Sequence, residues 1–187
     1  NLFSKYVQGL SERDVRVVLD KLQEEDDNLG DLAYAPQREA AESIRKLLNR
    51  FYKYMTLGRG MKIGDRGQFY FPRAWSTTAL SAKHAEFINM LTTHYTPVLD
   101  SAVTASKGAV TREQVAGRIY SKLLSNSVGD HLPPQRDDGV LAPFFASKEG
   151  RELGWIRGEH AKDFMSKDLV KTLTTYFHNG ARHAEYA

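Results

Sequence analysis

The residues best suited to chemistry lie between Gly58 and Lys83. Five cations (Arg59, Lys62, Arg66, Arg73 and Lys83) face a single acid, Asp65, and Phe69, Tyr70, Phe71 and Trp75 are interleaved among them. Guanidinium groups neutralise phosphates and aromatic faces stack on bases, so this mixture suits a groove for single-stranded nucleic acid. The contact residues would be Arg59, Lys62, Arg66, Tyr70, Arg73 and Trp75. The same string also describes a buried aromatic segment flanked by solvated arginines. In that reading Arg73 forms a buried ion pair, since its planar fork matches a carboxylate. The whole-chain charge adds no weight to nucleic acid: 26 Lys+Arg against 23 Asp+Glu leave only +3, where a nucleic-acid module carries a large, localised excess.

Other chemistries find less. The six histidines include His178 and His183 near the C-terminus, but these are five apart. A helical metal pair needs three or four, so the reading is surface or stacked histidines and no metal. Gly58-Arg59-Gly60-Met61-Lys62 lacks the Gly-Lys-Ser/Thr of a phosphate loop and follows a helical pattern rather than a strand. No Gly-x-Ser-x-Gly elbow is present. With no cysteine, a disulfide framework, a zinc ribbon and a thiol nucleophile are excluded. The expectation is no catalytic residue, no cofactor and no enzyme activity in this segment.

The elements that would position these residues read as helices. Composition is that of a folded chain: 41% hydrophobic and 26% charged leave enough apolar surface for a core. Ser11-Glu12-Arg13-Asp14 is a capping-box start, followed by Val15, Val18, Leu19 and Leu22 at one-face spacing. The acidic run Glu24-Glu25-Asp26-Asp27 is unfavourable at a helix C-terminus and predicts a stop, with a turn at Asn28-Leu29-Gly30. Pro36 opens a second helix with Ile44, Leu47, Leu48, Phe51 and Met55 on one stripe, ended by Gly58. Four glycines over 58–68 mark a loop or hairpin, and Pro72 holds Phe71 extended. A third helix is expected from Ser81 to Thr96, interrupted by Pro97, with Val98, Leu99, Ala102 and Val103 extending a further one. Thr111-Arg112-Glu113-Gln114 is a second capping box, ahead of Val115, Ile119, Leu123 and Leu124. Residues 125–147, with Pro133, Pro134 and Pro143, read as a long connection that is either functional or a boundary. The last helix is expected from near Ser166, with Val170, Leu173, Phe177, Ala181 and Ala184 as its stripe.

The second helix, the Gly-rich turn and Tyr70-Phe71-Pro72-Arg73, taken with the C-terminal Tyr176, Arg182, Glu185 and Tyr186, are similar to a pattern in helical segments of large polyvalent proteins of phages and related mobile elements. The shared steps are a Tyr-x-Pro-Arg turn and, far downstream, a Tyr-x-x-x-x-x-Arg-x-x-Glu-Tyr helix. The resemblance touches both ends and spans much of the chain. It implies a virion-associated or mobile-element role and brings no catalytic residues with it. A chain that starts at Asn1 and ends at Ala187 inside a helical pattern is expected to be a piece of a longer polypeptide.

These readings converge on an all-α fold: an irregular bundle of six or seven helices with a small extended or hairpin element near 61–72. Residues 1–125 are expected as a helical domain, 126–150 as the Pro-containing connection, and 151–187 as a C-terminal helical segment. Phe71, Pro72 and Arg73, with Tyr176, Arg182, Glu185 and Tyr186, are the expected structural residues. The expected function is that of a structural segment of a phage internal or ejection protein. Its expected partners are other copies or other virion proteins, and DNA is a further one. The alternative is a nucleic-acid module using residues 59–75. No stretch is long and apolar enough to cross a bilayer, and no signal peptide is present. The resemblance implies a location in the virion, or inside the host and at its envelope after ejection, and classical secretion is not expected.

Overall fold

A computed structural model describes residues 3–60, 69–127, 153 and 155–185. The described residues form eight α-helices and no β-strand, so the fold is all-α. In chain order these are α1 (Glu12–Glu24), α2 (Ala35–Lys53), α3 (Thr77–Ala82), α4 (His84–His94), α5 (Thr96–Ala105), α6 (Arg112–Ser127), α7 (Gly158–Ala161) and α8 (Leu169–Glu185).

Local signals set the helix ends. The Ser11 hydroxyl accepts from the Asp14 amide at 3.1 Å while the Asp14 carboxylate accepts from the Ser11 amide at 3.3 Å, which closes a reciprocal cap. Thr111 and Gln114 repeat it at the start of α6, at 3.3 and 2.8 Å. Pro36 sits in the first turn of α2, where its missing N–H is not needed. Beyond Lys53 the α2 chain widens into a π turn, Tyr54–Gly58. Asp168 caps α8 by accepting from the Lys171 amide at 2.8 Å.

Two expectations on boundaries change. The helix expected over 81–96 is two helices, because Ser76 caps an earlier start for α3 and Lys83 leaves helical geometry between α3 and α4. Pro97 does not only interrupt, since it lies in the first turn of α5. The extended element expected near 61–72 lies mostly outside the described residues, and residues 69–74 carry no strand.

Apolar stripes bury into two clusters. In one, Val18, Leu19 and Leu22 of α1 meet Ala41, Ile44 and Leu48 of α2, Leu169 and Leu173 of α8, and Phe71. In the other, Leu80, Phe87, Leu91, Leu99, Ile119 and Leu123 from α3 to α6 meet Leu153, Ile156 and Phe164. Each of the larger side chains contributes about 1.5–3 kcal/mol on burial. The clusters cut across chain order, because α8 returns to α1 and α2. Gly180 is what lets α8 come close: a Cβ there would lie 2.7 Å from the Phe51 ring. Phe51 in turn packs 4.4 Å from Phe177.

The chain leaves the first cluster through Phe71–Trp75 and returns through Met165–Leu169. The two crossings run antiparallel. Ser166 donates its amide to the Ala74 carbonyl at 2.7 Å and Ser76 donates to Phe164 at 3.0 Å, around an isolated bridge between Trp75 and Met165.

Candidate functional site at the acidic end of helix α1

Helix α1 ends in four consecutive acids. The negative pole of the helix dipole makes that arrangement unfavourable unless cations are brought to it, and the fold brings them from several elements. Lys21, one turn back, places its Nζ 2.8 Å from Glu24, 3.0 Å from Asp26 and 3.1 Å from Asp31. Only 8% of its side chain is exposed. Burial works against its charge, but the three carboxylates outweigh that and raise the ammonium above its ordinary range. Lys162, just after α7, reaches the other Glu24 oxygen at 2.8 Å. Burial pushes Glu24 up, while Lys162 and Lys21 together hold it below the usual carboxylate value.

Glu25 adopts a left-handed backbone, φ 58°, which turns its side chain toward the crossing segment Phe71–Trp75. One carboxylate oxygen accepts the Phe71 amide at 3.0 Å and the other accepts Arg73 Nη2 at 2.9 Å. Arg73 also donates from Nη1 to the Leu153 carbonyl at 3.2 Å. Its side chain is 3% exposed and that of Glu25 is 16% exposed, so this is a buried ion pair. Arg45 of α2 donates to the Asp26 carbonyl, and its guanidinium lies 5.1 Å from the Phe69 ring. Burial lowers the Arg45 pKa, and Asp26 and Asp27 offset part of that.

The second cluster approaches this end through α7. A Cβ on Gly158 would lie 1.9 Å from the Gln23 carbonyl oxygen, so only glycine permits the contact. Gln23 donates to the Ser166 carbonyl at 3.2 Å, and Lys167 pairs with Asp20 at 2.5 Å. Between the two clusters lies a cleft of about 620 Å³, whose walls include Glu24, Glu25, Arg73, Trp155, Arg157 and Lys162. Its charged residues pair across and along the walls: Glu24 with Lys162, Glu25 with Arg73, and Arg157 with Glu159. Behind one wall the Tyr95 hydroxyl accepts the Arg157 amide at 2.7 Å and lies 2.7 Å from His160 Nδ1.

Of the residues expected to hold nucleic acid, the four that are described are each engaged by other groups of the fold. Arg73 is interior. Trp75 is half-buried and meets Phe87 edge-on at 6.1 Å. Tyr70 is half-buried, 5.9 Å from the Tyr176 ring. Arg59 is exposed and donates to the Tyr54 hydroxyl at 2.9 Å. Lys62 and Arg66 lie outside the described residues. Of the expected structural residues, Phe71 and Pro72 are buried and Tyr176 packs on Phe51 at 5.7 Å. Arg182 and Glu185 lie on α8, and Tyr186 lies outside the described residues. Among the described residues no three His, Asp or Glu side chains are grouped as metal ligands. No described helix is long and apolar enough to cross a membrane.

Sequence reading reached Arg73 but not its partner, and it missed Lys21, Lys162, Gly158 and the Tyr95–His160 pair. The signal for the partner was present: four acids at a helix C-terminus demand cations. The chain matches no protein-family model, no curated protein and no solved structure.

Proposed function

We propose that this chain is a helical structural segment of a phage virion-associated protein, of the internal or ejection type, acting through protein–protein contacts during genome delivery. The phage setting rests on the resemblance carried by Tyr70-Phe71-Pro72-Arg73 and the Tyr176–Tyr186 pattern. The observation that supports a structural role over nucleic-acid binding is the placement of Arg73. The arginine at the centre of the basic-aromatic stretch is buried against Glu25 and ties the α1 end to the second cluster. Trp75 and Tyr70 are likewise engaged with other rings. A phosphate groove needs such groups turned to solvent.

The test is to locate the parent protein. An antibody to this chain is applied to purified phage particles before and after genome release, and to host membrane and soluble fractions. Signal in full particles that leaves with the DNA supports the role. Signal only in the host soluble fraction, with particles free of it, removes the virion assignment.

A further inference from the structure

Behind the cleft wall that includes residues 155–159, five groups meet, from the end of α4 and from the segment 155–161. Tyr95, at the end of α4, points its hydroxyl at this segment. It accepts the Arg157 amide and keeps its own proton free to donate, and His160 Nδ1 at 2.7 Å is the acceptor in reach when the imidazole carries its proton on Nε2. That bond needs His160 neutral, with its proton on Nε2, 3.8 Å from the Glu159 carboxylate. The His94 ring of α4 stacks on His160, with centroids 4.2 Å apart and planes 23° apart. A proton on Nδ1 ends the donation from Tyr95, obliges its hydroxyl to turn its own proton away and accept from a second donor, and places a charge where burial and the stacked His94 ring both oppose it.

We propose that residues 155–161 form an acid-sensitive latch, in which protonation of His160 breaks its bond to Tyr95 and releases this wall of the junction cleft from α4. The other charges near the site do not reverse the sign. Burial first, then His94 and Arg157, hold the latched imidazole below its ordinary value, and Glu159 opposes them only in part. Arg73 and Arg157 add positive charge toward Tyr95 itself, and Glu159 adds negative. A histidine held low when latched takes up its proton preferentially when released. The latch is therefore closed above the ordinary histidine value, about 6.5, and weakens as the pH falls through it. Glu24, the acid at the α1 end that lines the same cleft, is held below its ordinary carboxylate value and so titrates below this window.

Amide hydrogen exchange tests this directly, because the Arg157 N–H is one arm of the latch. Its protection in the wild-type chain is measured from pH 7.5 to 5.5, corrected for intrinsic exchange and referenced to the Ile119 amide in α6. Arg157 should lose protection relative to Ile119, by up to ~10-fold per pH unit, the limit for uptake of one proton. In His160→Gln, which keeps an acceptor for the Tyr95 hydroxyl, Arg157 protection should be flat over this range. The imidazole resonances of the wild-type chain are titrated in parallel, so the outcome does not depend on the variant folding. The Arg157 midpoint should coincide with that of His160 and lie below 6.5. Unchanged protection in the wild type, an equal loss in His160→Gln, or a midpoint that follows a different histidine would each overturn the latch.

Discussion

Glu25 and Arg73, 48 residues apart in the chain, form a buried joint in which one carboxylate holds both the Arg73 guanidinium and the Phe71 backbone amide. Arg73 carries the connection onward to the Leu153 carbonyl. The end of α1, the crossing segment Phe71–Trp75 and the second cluster are thus fixed to one another by three hydrogen bonds centred on two side chains. Removing one charge of such a pair leaves the other uncompensated, at a cost of about 3–5 kcal/mol. Arg73→Ala and Glu25→Ala should each lower stability by about that much in urea unfolding. The double variant should cost clearly less than the two together, since the stranded charge is gone. Additive losses would show that the pair is not coupled.

The two close-packed glycines should respond differently to alanine. At Gly158 the new methyl meets backbone, the Gln23 carbonyl, which cannot move without shifting α1. Overpacking of this kind costs about 1–3 kcal/mol or more. At Gly180 the methyl meets the Phe51 ring, a side chain with torsional freedom. The better helix propensity of alanine returns about 1 kcal/mol there. Thermal melts of Gly158→Ala and Gly180→Ala should therefore show a large drop for the first and a small change for the second. Equal changes would contradict the backbone contact between α1 and α7.

Acid should weaken the α1 end before it affects the apolar clusters. Glu24 is held below its ordinary value in the folded chain, against burial, by Lys162 and Lys21. A depressed acid contributes stability above its unfolded value, about 4.3, and loses it as the pH falls through the folded value. Unfolding free energies measured between pH 6 and 3 should decline steeply in the wild type. Glu24→Gln should start lower at pH 6 and decline less. A parallel decline in both would assign the acid sensitivity to other carboxylates.

Much of this architecture is legible in the sequence because its causes are local. Ser11 with Asp14, Thr111 with Gln114, and Pro36 each act within one helical turn, so their caps are readable from spacing alone. Arg73 as a buried ion pair is legible from the apolar residues around it. Glu25 is not, because its role depends on a left-handed turn at one residue and a partner 48 positions away. The same acids that read as a stop signal for α1 are the centre at which Lys21, Lys162, Arg73 and Arg45 converge. Gly158 is silent for a related reason: in sequence it is one of 14 glycines, and only the approach of α1 gives it a task. The split between α3 and α4 is silent too, because Lys83 leaves helical geometry with no glycine or proline beside it to mark the break.

The proposed structural role has Tyr70, Arg73 and Trp75 serve the fold rather than nucleic acid. Fluorescence anisotropy with labelled single-stranded DNA, on the intact chain at 50 and 200 mM salt, tests it most directly. The account predicts weak binding at low salt that Arg59→Ala does not change. Tight binding that collapses between the two salt concentrations and is lost in Arg59→Ala would contradict it, because such a slope is the mark of phosphate neutralisation.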